Sequence, residues 1–318
     1  MALDPGTVAR FDGDWRALVG EGGDRALVAL SGGPDSTALL LLLHASIGDR
    51  CVAATVDHGL RAEAREEAEQ AAAVCRELGI AHATLTGDLP VRAGGTANVH
   101  ARARALRYRL LREHAAGIGA AWIATGHHAD DQLETVLMRL NRGAGVGGLS
   151  GVRAMSGAIV RPLLGWRRAE LHAIVAAAGI SAVADPSNTD DRFARAALRK
   201  GLGQIDWLDA SAASRSATAL AEADAALDWA ADTAAASRCR FDEGGALLVP
   251  ADLPAELCRR LAVRCLSHLD PAIVVRGPDL TRLLTTLSGG GTATLGGVLC
   301  ASDGTIWTFR AAPPRRSL

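Results

Sequence analysis

Apolar residues in the first two thirds of the chain fall into short runs that alternate with amphipathic stretches. Residues 26–30 form an apolar run of strand length. A polar turn follows, and then residues 37–43, an apolar run of good helix formers. Residues 51–57 read as a second strand, 63–78 as a charged amphipathic helix and 80–85 as a third strand. A helix over 98–112, a fourth strand at 121–125 and a helix opening near His127 come next. Residues 159–164 read as a short last strand containing Pro162, 167–178 as a helix, and 193–200 as a basic helical turn or two. Ahead of all of these, 7–20 predicts an amphipathic helix on the outside of the first domain. Strands alternating with helices predict a parallel sheet covered by helices on both faces.

The character changes around 202–207. Residues 212–237 are Ala-rich and predict a long connecting helix. Beyond it come an apolar 247–250, helices at 256–268 and 279–287, and β segments at 292–300 and 305–310 joined by Ser302-Asp303-Gly304. That tripeptide is a hairpin signal. The expected division is a catalytic domain over 1–203 and a smaller, mainly helical α+β domain over 204–318 that recognises the substrate.

Composition changes this picture little. No apolar run approaches the ~20 residues of a membrane span, so no membrane role is expected. The acidic N-terminus does not read as a secretory signal, and a cytoplasmic protein is expected. The six cysteines, Cys51, Cys75, Cys239, Cys258, Cys265 and Cys300, contain no C-x-x-C pair and read as reduced thiols. The net charge of −1 does not announce a nucleic-acid binder. Its distribution is more telling, because 92–112 and 135–169 contain arginines and no acid. Arg104, Arg107 and Arg142 lie in these stretches and predict phosphate-binding surfaces, against the plainer reading of a solvated basic face. The Gly-rich segment 143–151 predicts a flexible loop able to close on a substrate. Oligomeric state is not legible, and a homodimer is compatible with the sequence.

The candidate chemistry lies in the turns. Between the first strand and its helix stands Ser31-Gly32-Gly33-Pro34-Asp35-Ser36. Small residues let the backbone approach a phosphate, and the first N–H groups of the helix point at it. A carboxylate there repels phosphate unless Mg²⁺ lies between them, which makes Asp35 a candidate Mg²⁺ ligand. A Walker-type P-loop is excluded, since Lys200 is the only lysine of the chain. Two more polar clusters end strands, where ligands bind in open α/β sheets. One begins Asp57-His58-Gly59. The other is His127-His128-Ala129-Asp130-Asp131-Gln132-Leu133-Glu134-Thr135, in which Asp131 and Glu134 share a helix face. A metal centre on both histidines is disfavoured, because neighbours on a helix splay apart.

The hexapeptide resembles the PP-loop of the ATP pyrophosphatases, whose fold is a Rossmann-like parallel sheet. Together with Val56–Arg61, Ala103–Tyr108, His127–Thr135, Arg161–Leu164 and Asp185–Asn188 with Arg195 and Arg199, it resembles the tRNA(Ile)-lysidine synthetase family in its short, two-domain form. Ala196 and His100 depart from the usual family residues. The resemblance implies ATP-dependent adenylation of the wobble cytidine of tRNA-Ile(CAU), then attack by free lysine, releasing AMP and pyrophosphate. It implies ATP on Ser31, Gly32, Gly33, Pro34, Asp35, Ser36 and Asp57, lysine on Asp131 and Glu134, and tRNA on Arg104, Arg107, Arg142 and Arg199. Asp35, Asp131, Glu134 and Arg195 are the implied catalytic residues. The nearest alternative is a PP-loop tRNA thiolase, but the paired cysteines usual there are missing. Amide-forming synthetases and a nucleotide sensor fit less well.

Overall fold

The computed structural model describes residues 3–57, 63–87, 99–181, 194–202, 205 and 207–313. Several sequence readings fall outside them: the cluster at 58–61, the loop at 88–96, the turn at 185–188 and the side chain of Arg195.

The chain forms two compact units, Met1–Ala219 and Leu220–Leu318. In the first, strands β1 (Arg25–Ala29), β2 (Cys51–Asp57), β3 (His82–Thr86), β4 (Ala120–Ala124), β5 (Met155–Ser156) and β6 (Ile159–Val160) form one sheet in the order β3-β2-β1-β4-β6-β5. Every pair is parallel except β5–β6. The chain order reverses between β1 and β4, so the C-terminal ends of these neighbours frame the crevice where an open α/β sheet binds its ligand. The helices are α1 (Pro5–Val19), α2 (Pro34–Ile47), α3 (Glu63–Glu77), α4 (Val99–Gly117), α5 (Ala129–Leu140), α6 (Val146–Leu149), α7 (Arg168–Ala177), α8 (Ala194–Leu202) and the start of α9 (Ala210–Arg238).

Helix α2 begins at the polar turn, with Gly33 as N-cap and Pro34 in the first helical turn, where its missing N–H costs nothing. All of its residues from Thr37 to Leu43 are buried, against α1, α7 and the sheet. A helix apolar on all sides must sit inside the molecule. Each leucine so buried stabilises the fold by roughly 1.5–3 kcal/mol relative to exposure. The turn that α2 carries is therefore fixed from below. The opening of α9 belongs to the first unit, since Ala210 and Ala213 pack with Ala129, Leu133 and Leu137 of α5.

The segment 143–151 is more structured than its glycine content predicts. It contains α6, and Arg139 Nη1 donates to the carbonyls of Gly148 and Gly151, both at 2.7 Å. Gln132 accepts from the Val152 N–H at 2.6 Å and donates to its carbonyl at 3.0 Å. These long-range partners hold a segment whose own residues offer little to pack.

The second unit contains a five-stranded antiparallel sheet, β7-β8-β11-β10-β9, where two β segments were expected. Its strands are β7 (Cys239–Asp242), β8 (Gly245–Leu248), β9 (Thr292–Leu295), β10 (Val298–Ser302) and β11 (Trp307–Ala311). The expected segment 292–300 is split into β9 and β10 at Gly296-Gly297, both with positive φ. The hairpin expected at Ser302-Asp303-Gly304 joins β10 to β11. Helices α10 (Ala255–Leu269) and α11 (Gly277–Ser288) complete this unit's core, where their Leu261, Leu266, Leu283 and Leu287 join Phe309 of β11.

Candidate active site

The turn after β1 is braced internally. Ser36 Oγ accepts from the Ser31 N–H at 3.1 Å and lies 3.0 Å from both Ser31 Oγ and the Gly33 carbonyl. Thr37 Oγ1 donates to the same carbonyl at 3.0 Å. The hydroxyls expected to meet a phosphate thus shape the turn as well. Gly32 has φ +81°, a region side-chained residues rarely adopt. No side chain caps α2, which leaves its first turn facing the crevice as an anion cradle.

The second cluster stands opposite, after β4. Gly126 lets the two approach. A Cβ there would lie 3.0–3.1 Å from the backbone of Asp35 and Ser36. His128 caps α5: its Nδ1 accepts from the Asp131 N–H at 3.4 Å, and Asp131 Oδ2 accepts from the His128 N–H at 3.3 Å. Nδ1 also lies 3.6 Å from Asp130 Oδ2, and the other ring nitrogen, Nε2, faces the two clusters. That atom lies 3.5 Å from Asp35 Oδ2 and 3.6 Å from Asp131 Oδ2. These contacts are too long to count as formed hydrogen bonds, and Nε2 has no such partner among the described residues. The His128 side chain is completely buried. It stands as a pillar between the two polar clusters.

Asp35 is the centre of the site. Burial pushes its carboxyl up, but the imidazole of His128, then His172 and Arg168, outweigh burial and hold it below the usual range. Its Oδ1 is buried without a hydrogen-bond partner among the described residues. His172 Nε2 of α7 stands 3.4 Å from that oxygen.

Glu134 is 2% exposed and is met by Arg199 Nε at 2.8 Å, Arg199 Nη2 at 3.2 Å and Arg168 Nη2 at 3.1 Å. Arg199 Nη2 also lies 3.9 Å from Asp131 Oδ1. Asp130 Oδ2 accepts the Arg168 N–H at 2.8 Å, which ties α7 to the start of α5. The structure therefore gathers Asp35, Asp131, Glu134 and Arg199 in one place. Asp57 ends β2 on the same side of the sheet.

The basic stretches divide. On α4, Arg104, Arg107, Arg109 and Arg112 are exposed, and the guanidinium of Arg104 lies 5.0 Å from the Tyr108 ring centroid. In the second stretch Arg142 is exposed, but Arg161 is buried and donates to the Arg153 carbonyl at 2.6 Å. Arg139 and Arg161 are therefore internal struts, so that stretch is not the continuous phosphate surface its composition predicts. Sequence reasoning missed His128 as the pillar, and it missed His172 and Arg168. Arg168 and His172 are i, i+4 on α7, a one-face signal that pointed to a site only once the sheet order was known.

A strand, a glycine turn facing a helix N-terminus and an acid cluster on the neighbouring strand define a nucleotide-dependent α/β enzyme. The PP-loop domain family matches residues 11–205, and the chain carries that ATP-using domain. A tRNA(Ile)-lysidine synthase of Novosphingobium aromaticivorans is 48% identical, covering 98% of this chain and 96% of the relative. Another, from Zymomonas mobilis, is 37% identical over 91% of this chain and 89% of the relative. The chain belongs to the tRNA(Ile)-lysidine synthase family, a family of ATP-dependent tRNA-modifying ligases. Among solved structures, the U34-tRNA thiolase NcsA of Methanococcus maripaludis shares the fold with a TM-score of 0.55. It is 16% identical, with 68% of this chain and 80% of that chain covered. The family assignment favours lysidine synthesis over the thiolase alternative. No helix among the described residues is long and apolar enough to cross a membrane.

Proposed function

We propose that this chain converts the wobble cytidine, C34, of tRNA-Ile with a CAU anticodon to lysidine, in the cytoplasm. One observation carries the reading: Asp35 of the anion turn and Asp131 of the acid cluster converge on a single buried imidazole, 3.5 and 3.6 Å from its Nε2. A phosphate-activating half and an amine-binding half thus share one crevice.

The cytosine C2 oxygen is a poor leaving group. It attacks the α-phosphorus of ATP, and the bond to pyrophosphate breaks. The lysine ε-amine then attacks C2, loses a proton, and the C2–O bond breaks to release AMP. Gly32, Gly33 and the first turn of α2 offer backbone donors to the phosphates. The buried Asp35 Oδ1, without a hydrogen-bond partner among the described residues, fits a hard divalent cation. Mg²⁺ held there beside the phosphates would offset the charge that develops on pyrophosphate.

Asp131 forms the lysine end, with Glu134 one turn behind it on α5. Asp131 meets the ammonium and can take its proton. Glu134, engaged by Arg168 and Arg199, acts by placing Arg199 toward the adenylated base, and Arg195 precedes Arg199 by four residues in α8. Asp57 suits the adenosine end. Exposed Arg104, Arg107 and Arg142 supply phosphate contacts to tRNA, with binding that weakens as salt rises.

Full-length protein incubated with Mg-ATP, labelled lysine and a tRNA-Ile(CAU) transcript is expected to place label in the tRNA and release AMP and pyrophosphate in equal amounts. Changing C34 to U is expected to abolish both. Pyrophosphate released while lysine stays free would overturn the reading.

A further inference from the structure

We propose that His172 is a ligand of the β- and γ-phosphates of ATP, and hence of the pyrophosphate product, a role distinct from any in the anion turn or the acid cluster. The proposal rests on the reading of 31–36 as the phosphate cradle.

Four observations support it. His172 projects from α7, not from either motif, and its Nε2 reaches to 3.4 Å from Asp35 Oδ1. That oxygen nevertheless has no hydrogen-bond partner among the described residues, so the imidazole stands beside the carboxylate without being aimed at it. The side chain is 47% exposed, whereas the other imidazole next to Asp35, His128, is 1% exposed and locked by the cap of α5. One histidine is thus a fixed part of the wall, and the other is open to solvent beside Asp35. Finally, the backbone of α7 is anchored. Asp130 accepts the Arg168 N–H at 2.8 Å, and Arg168 pairs with Glu134 at 3.1 Å, one turn before His172. The imidazole is presented from a fixed base.

Asp35 lies in the first turn of α2, so a donor beside it stands at the helix end of the cradle, within reach of phosphates bound there. Neutral or charged, its Nε2–H can donate to a phosphate oxygen. AMP, which lacks the outer phosphates, should not detect this group. ATP and pyrophosphate should. The side chain therefore acts on substrate binding and on product retention together.

The test is calorimetric binding to the full-length chain without tRNA or lysine, so that no turnover intervenes. The probes are Mg-ATP, Mg-pyrophosphate and AMP, with wild type, His172→Ala and His172→Gln. His172→Ala is expected to weaken ATP and pyrophosphate by about tenfold, the worth of one hydrogen bond to a charged group, and AMP by less than about twofold. His172→Gln, which keeps a donor, is expected to recover part of the loss. Equal weakening for all three probes would overturn the proposal, as would unchanged pyrophosphate binding in both variants. Wild-type protein indifferent to pyrophosphate and ATP would overturn the cradle reading itself, and this inference with it. Melting temperatures of the variants exclude an indirect effect through unfolding.

Discussion

Asp131 and Glu134 of α5 lie one turn apart but sit in different electrostatic settings. Glu134 has a guanidinium on each oxygen, Arg199 Nε at 2.8 Å on Oε1 and Nη2 at 3.2 Å on Oε2, with Arg168 also on Oε1. Asp131 faces a long contact to Arg199 at 3.9 Å and the shared imidazole at 3.6 Å. Their substitutions should therefore separate. Asp131→Asn is expected to raise the KM for lysine by about tenfold or more, while pyrophosphate release changes far less. Glu134→Gln is expected to cost roughly 1–3 kcal/mol in urea unfolding, since two partly exposed guanidiniums lose their buried counter-charge. Equal effects of both changes on lysine KM would count against this division. Asp35, Asp131 and Glu134 were legible because each sits in a contiguous motif with a chemical reason for its spacing. Of their partners, Arg199 was named through the family motif, but not its pairing with Glu134. Arg168 and His172 meet the acids only through the packing of α7, and nothing local in the sequence encodes that.

At the scale of elements, two turns at neighbouring strand ends must nearly touch, and Gly126 permits it. Gly126→Ala places a methyl group 3.0–3.1 Å from the Asp35 and Ser36 backbone, so one of the turns must move. The expected result is a fold destabilised by about 1–3 kcal/mol and a larger relative loss of ATP affinity. Gly165→Ala is the control, with nothing within 4 Å of the added methyl. A Gly126→Ala protein that binds ATP like wild type would remove the close approach from the account. The alternating strands and helices of the first unit were readable because buried parallel strands are apolar throughout and their helices amphipathic. β7 escaped because Arg240, Phe241 and Asp242 are exposed and show no alternation. The ordering of 143–151 escaped because Arg139 and Gln132, outside it, do the holding.

Across the whole molecule the six thiols are not equivalent. Burial pushes Cys51 and Cys300 up to about 12 and Cys75 up to about 11. Burial also raises Cys258. Cys265 is fully buried and raised, first by its hydrogen bond with Cys239. Cys239 alone is half-buried, and the same hydrogen bond, followed by the charge of Arg264, lowers it despite burial. Iodoacetamide at mildly alkaline pH is therefore expected to label Cys239 first, because the thiolate is the nucleophile. Mass spectrometry of partly labelled protein reads the order directly, and early labelling of Cys51 or Cys75 would contradict it. Reduced thiols were the expectation from spacing, but the order of their reactivity needed the fold.

The buried Nε2 of His128 has two carboxylates at nearly equal distance, 3.5 Å to Asp35 and 3.6 Å to Asp131. A ligand that draws one carboxylate away leaves the ring edge to the other. On the proposed assignment a ligand at the phosphate end is expected to be felt at the lysine end, and thermodynamic reciprocity requires the influence to be equally strong in both directions. The crevice behaves less like two adjoining sites than like a balance with His128 at its pivot.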